Sequence, residues 1–273
     1  MAEPTIEERW RAALMGPIPP VHLSTRRLFS HLPGSPRCKN CAAPFSGPGA
    51  VVARAMGFRR WSRNPTFCGR CLGQVADRGI GGAEVEISML FADIRGSTGL
   101  AESMSASSFA ELLDRFYVSA TDVLVREDAM VDKFVGDEVV ALFLPAFAGS
   151  GHAEHAIRAA ADLLAETGHD QDEGPWAPVG AGVHTGTAYV GAVGSHGKVT
   201  DVTALGDAVN TTARLASVAA AGEILVTEAA ADAAGLNTDG LELKNLELKG
   251  KSERVRAWSL GLDAGIAARL SSS

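Results

Sequence analysis

The sequence predicts an α+β protein in two parts: a small cysteine-bearing module, then a larger domain with the element order β-α-β-β-α-β. Three observations predict it. Val85, Ile87, Met89 and Phe91 alternate with Glu84, Glu86, Ser88 and Leu90, the period of a strand. Phe109, Leu112, Leu113, Phe116, Ala120, Val123 and Leu124 recur at three- and four-residue steps, the period of an amphipathic helix. All four cysteines lie near the start, as Cys38-Lys39-Asn40-Cys41 and Cys68-Gly69-Arg70-Cys71.

The remaining elements follow in order. Residues 1–37 hold Pro17, Pro19, Pro20, Pro33 and Pro36, which predicts a short helix and then an extended lead-in. Residues 38–82 form the cysteine module and its linker, with a short hairpin or helix in 42–67. Phe58 and Trp61, interleaved with arginines, are expected to pack as a minimal core with the arginines solvated. From 83 to 262 runs the larger domain, and 263–273 is a tail. Its first strand ends at Asp93, where Gly96-Ser97-Thr98-Gly99 opens a turn. Residues 130–134 and 139–144 are apolar runs joined through Gly136-Asp137-Glu138, a hairpin with Asp137 near its tip. Residues 153–165 are helical, and 179–184 and 189–193 are strands on either side of Thr185-Gly186. This order is the ferredoxin-like plan, in which the first strand lies beside the central hairpin and Asp93 can meet Asp137.

Charge and hydropathy bound the function. Residues 1–82 carry 12 Lys and Arg against 4 Asp and Glu, leaving 13 against 28 for 83–273. A basic module thus precedes an acidic domain, and opposite charges favour their packing or mutual steering. A charge excess by itself supports only non-specific attraction, so nucleic acid is not an expected partner. The opening residues include Glu3, Glu7 and Glu8 and lack the apolar core of a secretory leader. The strongest apolar run, 139–148, contains Pro145 and falls short of the ~20 residues that span a bilayer. A cytoplasmic protein is expected.

Two Cys-x-x-Cys pairs supply four thiolates, the number that structural zinc takes. In a reducing compartment a metal is expected over two disulfides. Zinc is the first reading, with an iron–sulfur centre or a redox dithiol as alternatives, because a tetrathiolate discriminates poorly between zinc and iron.

Taken singly, the polar residues of the larger domain have ordinary readings. Gly136-Asp137 is a common turn pair, Asp93 could cap a turn, and Lys133 could be a solvated hairpin charge. His184 reads as a packed strand histidine, and His152 and His155 as a solvated helix start. Asn210 and Arg214, at i and i+4, share a helix face. As a set they differ: two carboxylates for divalent metals, a lysine to read a base and an arginine for charge on a transferring phosphoryl group. That combination suits chemistry on a nucleoside triphosphate.

Over residues 84–261 the order and spacing of these motifs resemble the class III adenylyl/guanylyl cyclase catalytic domain. The resemblance implies that Asp93 and Asp137, with the backbone carbonyl of Ile94, hold two Mg²⁺ or Mn²⁺ ions. It implies that Lys133 contacts the adenine ring, Asn210 orients the ribose and Arg214 stabilises the transition state. Lys249, in Leu248-Lys249-Gly250-Lys251, would reach the triphosphate. Backbone amides from Ile94 to Thr98, including Gly96, Ser97 and Thr98, would cradle phosphate oxygens. Seven residues before Asn210, where many members carry aspartate, this chain has Thr203. That resembles the subgroup whose hydroxyl reads the adenine amino group and whose members are often bicarbonate-responsive. Guanylyl cyclases resemble a glutamate and cysteine pair at the two base-reading positions. The Lys133 ammonium can only donate, which suits N1 of adenine and not the N1–H of guanine.

The implied reaction is ATP to 3′,5′-cyclic AMP and pyrophosphate, in a homodimer with two composite sites. One subunit would supply the metal aspartates and the other the base, ribose and arginine contacts. The N-terminal module would then be a sensor, dimer-stabiliser or docking element, and bicarbonate or another effector could act on the enzyme. The alternatives are a guanylyl cyclase and a catalytically degenerate binding protein fused to a zinc module. Val135-Gly136-Asp137-Glu138-Val139 also resembles the diguanylate cyclase signature, but valines stand at its first glycine and its phenylalanine, and that family lacks the Asn210–Arg214 helix.

Overall fold

A computed structural model describes residues 4–16, 23–39, 41–62, 64–71, 81–195, 199–248 and 254–270. The chain divides into two compact units. The first comprises Met1–Val85, Pro145–Phe147 and Tyr189–Thr203; the second comprises Glu86–Leu144, Ala148–Ala188 and Ala204–Ser273.

In the first unit, α1 (Ile6–Met15) opens with a capping box: Thr5 Oγ1 accepts from the Glu8 amide, and the Glu8 carboxylate accepts from the Thr5 amide at 2.7 Å. It buries Trp10, Ala13 and Leu14, spaced to share one face. A second helix, α2 (Leu23–His31), stands where the proline content predicted extended chain. The prolines flank this interval and leave residues 21–32 free of them, so nothing breaks a helix there. The inter-cysteine stretch contains both elements considered for it: α3 (Pro48–Ala55), with proline at its first turn, and a hairpin of β1 (Arg60–Trp61) with β2 (Asn64–Cys68). Phe29, Ala53, Phe58 and Phe67 pack around the four cysteines, Phe29 edge-on to Phe58 at 4.7 Å. The aromatics do form the core, but two arginines are not simply solvated: Arg70 lies over the Phe58 ring and Arg60 over Phe45.

From Gly81 onward the chain holds the predicted order. β3 (Gly81–Ile94) leads through α4 (Ser97–Ser103) to α5 (Ala106–Arg126), then β4 (Met130–Val135) and β5 (Glu138–Phe143). The short α6 (Pro145–Ala148) precedes α7 (His152–Glu166), β6 (Val179–Ser195) and β7 (Val199–Leu205). The chain continues as α8 (Asp207–Val218), β8 (Ile224–Thr227), α9 (Glu228–Ala234), β9 (Glu242–Leu246), β10 (Val255–Leu260) and α10 (Ile266–Leu270). The strand order is β4-β5-β3-β6-β8-β10-β9, with β7 added to β6. Its pairs include antiparallel β3 with β5 and parallel β6 with β8.

One face of this sheet is covered by α5, α7, α9 and α10. Phe116, Ala120, Val123 and Leu124 of α5 and Ile157, Leu163 and Leu164 of α7 pack on Leu90, Ala92, Phe143, Ala181 and Val183. Burying each of the larger side chains contributes roughly 1.5–3 kcal/mol. The opposite face receives α8, whose Leu215 packs on Leu225 and Ala257.

Two expectations are corrected. Val179–Ser195 is one strand, not two around Thr185-Gly186. Thr185 stays extended and buried, bonded to Ser88 Oγ at 2.6 Å. Gly186 serves close approach: a Cβ there would lie 3.2 Å from Ala208 Cβ at the start of α8. Nor do His152 and His155 form a solvated helix start. His152 is buried with Nδ1 2.8 Å from Ser88 Oγ, and His155 pairs with Glu127 at 2.8 Å. Burial holds His152 below the ordinary histidine range, whereas the hydrogen bond that His155 donates to Glu127 raises His155. His184 is the packed strand histidine expected, bonded to Thr227 Oγ1 at 2.9 Å.

Candidate active site

Strand pairing brings the two aspartates together. Asp93 stands opposite Glu138 in the β3–β5 ladder, and the Ile94 amide donates to the Asp137 carbonyl at 3.3 Å. Gly136 adopts φ 62°, a left-handed conformation that glycine takes without strain, and turns the hairpin so that Asp137 faces Asp93. Tyr117 of α5 steadies the tip: its hydroxyl donates to the Gly136 carbonyl, and its ring lies 4.4 Å from Phe134.

The carboxylates are crowded. Burial, then the hydrogen bond with Asp137, pushes Asp93 up to about 7 against the pull of Arg95. Burial alone would raise Asp137 too, but its bonds with Asp93 and Ser97 outweigh it and lower the group. Burial and the Asp137 charge push Glu138 up to about 7. Asp93 Oδ1 is buried without a hydrogen-bond partner among the described residues. Oxygen donors packed this closely, one of them unsatisfied, fit a hard divalent cation such as Mg²⁺ or Mn²⁺.

The loop after Asp93 is narrower in function than its sequence suggested. The Ile94 and Arg95 amides donate to the carbonyls of Asp137 and Pro178, so they are not available to phosphate. The amides that open α4 remain, at Gly96 (φ 71°), Ser97 and Thr98, where a helix start leaves N–H groups without intrahelical acceptors.

On the sheet face opposite α5 and α7, a cavity of about 140 Å³ is lined by Phe91, Asp132, Lys133, Val135, Glu138, Val140, Leu142, Ala204 and Val209. Its lining is mostly apolar, with Asp132, Lys133 and Glu138 as the charged groups, a composition that suits a flat heterocycle. Asp132 was not anticipated. A β-bulge between Val131 and Lys133 turns it inward, where it is buried with Oδ2 3.2 Å from Lys133 Nζ. An acidic residue inside an apolar strand was the available signal; nothing in the sequence announced the bulge.

Asn210 and Arg214 lie on the outer side of α8. That helix sits close to the sheet because Gly182 has no Cβ, which would fall 2.6 Å from the Ala216 nitrogen. Leu215 and Ala216 are buried beneath it, Asn210 is exposed and Arg214 partly so. Among the described residues, no hydrogen bond or ion pair joins Asn210 or Arg214 to Asp93 or Asp137. Thr203 is buried on β7, in the first unit. Lys249 lies outside the described residues.

The cysteines converge. Cys38 Sγ lies 3.9 Å from Cys71 Sγ and Cys41 Sγ 3.7 Å from Cys68 Sγ, and all four sulfurs fall within 4.8 Å of one another. A tetrahedral ion with ~2.3 Å bonds to sulfur requires an edge of ~3.8 Å. The Cys68 amide donates to Cys38 Sγ and the Cys71 amide to Cys68 Sγ, each at 3.3 Å, as suits thiolate acceptors. The donor set fits a tetrathiolate metal site.

Comparison with known proteins accords with this geometry. Residues 83–260 match the adenylate and guanylate cyclase catalytic domain. The chain belongs to that family. It is 32% identical over 229 residues to an uncharacterized protein of Mycobacterium tuberculosis, covering 79% of this chain and 37% of the relative. An adenylate cyclase of Anabaena cylindrica is 28% identical over 206 residues, 68% of this chain and 40% of that one. The chain therefore spans well under half the length of these relatives. Among solved structures, the guanylyl cyclase Cya2 superposes with a TM-score of 0.59 at 24% identity, over 66% of this chain and 93% of that one. The adenylyl cyclase CyaB from P. aeruginosa gives 0.55 at 26%, over 65% and 94%. Family membership thus marks residues 83–260 as a catalytic domain of the nucleotide-cyclase type. No helix among the described residues is long and apolar enough to cross a membrane.

Proposed function

We propose that this cyclase converts ATP to 3′,5′-cyclic AMP and pyrophosphate, at composite sites formed by two copies of the chain. The observation that carries the reading is the pairing of Asp93 with Asp137, one buried oxygen unsatisfied, alongside an apolar slot edged by Lys133. Two Mg²⁺ or Mn²⁺ ions held by these aspartates and the Ile94 carbonyl would supply Lewis-acid activation of the ribose 3′-hydroxyl and the α-phosphate. Lys133 donates to N1 of adenine, its head group oriented by buried Asp132, and Thr203 accepts from the amino group. Asn210 holds the ribose in attack geometry. Arg214 donates to the oxygens on which charge grows as the 3′-oxygen displaces pyrophosphate. The amides at Gly96, Ser97 and Thr98 take phosphate oxygens.

Support for a homodimer comes from apolar exposure beside these residues. Phe134 and Val135, next to Lys133, are 38% and 53% exposed, and Leu205, just before α8, is 47% exposed. Side chains of this size grouped near a polar site mark a surface that a partner covers. Zinc is the ion proposed for the cysteines, because the sulfur spacing agrees with a closed tetrahedral site.

Base selection is the finer part of the reading, and it has a direct test. Combining Lys133→Glu with Thr203→Cys reverses the donor and acceptor pattern offered to the purine. The ratio of kcat/KM for ATP over GTP is expected to fall by more than about 10-fold, because a wrong base edge leaves buried polar groups unpaired. An unchanged ratio in a folded double variant would remove both residues from base recognition.

A further inference from the structure

Arg95 joins two groups that the proposed reaction uses in different roles. Its Nη2 meets Asp93 Oδ2, and its Nη1 donates to the Ser217 carbonyl at 2.9 Å, in the last turn of α8. Its own backbone is fixed, the amide donating to the Pro178 carbonyl at 2.6 Å. Ser217 in turn donates through its hydroxyl to the Arg214 carbonyl at 2.8 Å. Hydrogen bonds joined through the covalent frames of Arg95 and Ser217 therefore lead from the Asp93 carboxylate to the backbone of Arg214.

The chemistry of each link favours this arrangement. A guanidinium is planar and permanently charged, and its fork holds two acceptors in one fixed geometry, which an ammonium on a flexible stem does not. The carbonyls at a helix C-terminus carry the negative end of the helix dipole and attract a cation. The Arg95 and Asp93 side chains are only 21% and 24% exposed, so water screens their pairing less than that of a surface pair.

We propose that Arg95 is a positioning residue that couples occupancy of the Asp93 carboxylate to the setting of α8. A cation at Asp93 competes with the guanidinium for the same carboxylate and repels it, which loosens the tether on the last turn of α8. This inference rests on the composite-site reading. There, the Asp93 and the Arg214 of one chain serve opposite sites, so the Arg95 run connects one site to the other.

Mixed dimers with a single intact site separate the two ends of the run. One protomer carries Arg214→Ala and supplies Asp93 and Asp137. The other carries Asp137→Ala, retains its own Asp93–Arg95 pair and supplies Asn210 and Arg214. Adding Arg95→Met to the arginine-supplying protomer is expected to lower kcat about 3–10-fold with the Mn²⁺ requirement unchanged. The same change in the aspartate-supplying protomer is expected to lower the Mn²⁺ concentration for half-activity by a similar factor, since a competing cation is gone. Arg95→Lys should reverse that Mn²⁺ shift without restoring kcat, and Ser217→Ala should lower kcat alone.

Hydrogen exchange supplies a readout independent of turnover. Mn²⁺ should speed amide exchange over residues 213–218 in the wild-type dimer, whereas Arg95→Met should be fast already and insensitive to Mn²⁺. If Arg95→Met does not fold, Arg95→Lys and Ser217→Ala carry the same test. An active mixed dimer indifferent to Arg95 and Ser217 changes in the arginine-supplying protomer, with exchange unmoved by Mn²⁺, overturns the coupling alone. A folded, paired but inactive starting dimer overturns the composite-site reading and the coupling with it.

Discussion

Arg214→Ala is expected to lower kcat by about 10²–10³-fold while leaving nucleotide affinity close to wild type. The size of the effect follows from when the interaction is made. Charge accumulates on the non-bridging oxygens as the 3′-oxygen attacks, and a guanidinium aimed at them is worth more in that state than in the ground state. Arg214 is free to act in this way because α8 buries Leu215 and Ala216 and leaves Arg214 on its outer side. Stability should barely change for the same reason, so thermal unfolding of the variant should match wild type. Steady-state kinetics with ATP and an independent nucleotide-binding titration check the split. A raised KM with kcat intact would make Arg214 a ground-state contact and remove its assigned role.

Cys38→Ser is expected to abolish zinc binding and to open the cysteine module. Its core consists of Phe29, Ala53, Phe58 and Phe67 packed around the four sulfurs, too little apolar material to hold a fold of this size alone. Structural zinc contributes on the order of 10 kcal/mol to comparable small sites, so losing one thiolate of four removes most of what orders the module. Elemental analysis should find one zinc per wild-type chain and none in the variant, and limited proteolysis should newly cut within residues 23–71. Iron with visible absorbance, or a metal-free wild type with the module intact, would replace zinc with a cluster or a thiol pair.

Much of the cyclase domain was legible in the sequence, for physical reasons that also explain the gaps. The alternation at 84–91 and the helical period at 109–124 reflect burial on one side, and burial leaves a periodic trace. The meeting of Asp93 with Asp137 followed from topology, since β5 must lie beside β3 in this order of elements. Glycine misled the reading of β6. Gly186 looks like a turn residue, yet it lies within a continuous strand and makes room for α8. Histidine misled it in the other direction: His152 occupies a helix start, but a partner 64 positions earlier, Ser88, takes it inside. Asp132 depends on a bulge and Arg95 on a carbonyl at Ser217, and neither contact leaves any periodicity behind.

Cyclic nucleotide formation by the wild-type chain with Mn²⁺, with ATP and GTP assayed in parallel, decides the substrate. The expected products are 3′,5′-cyclic AMP and pyrophosphate in equal amounts, with kcat/KM for ATP well above that for GTP. A wild-type enzyme that prefers GTP, or a folded dimer that cyclises neither nucleotide, would contradict that expectation.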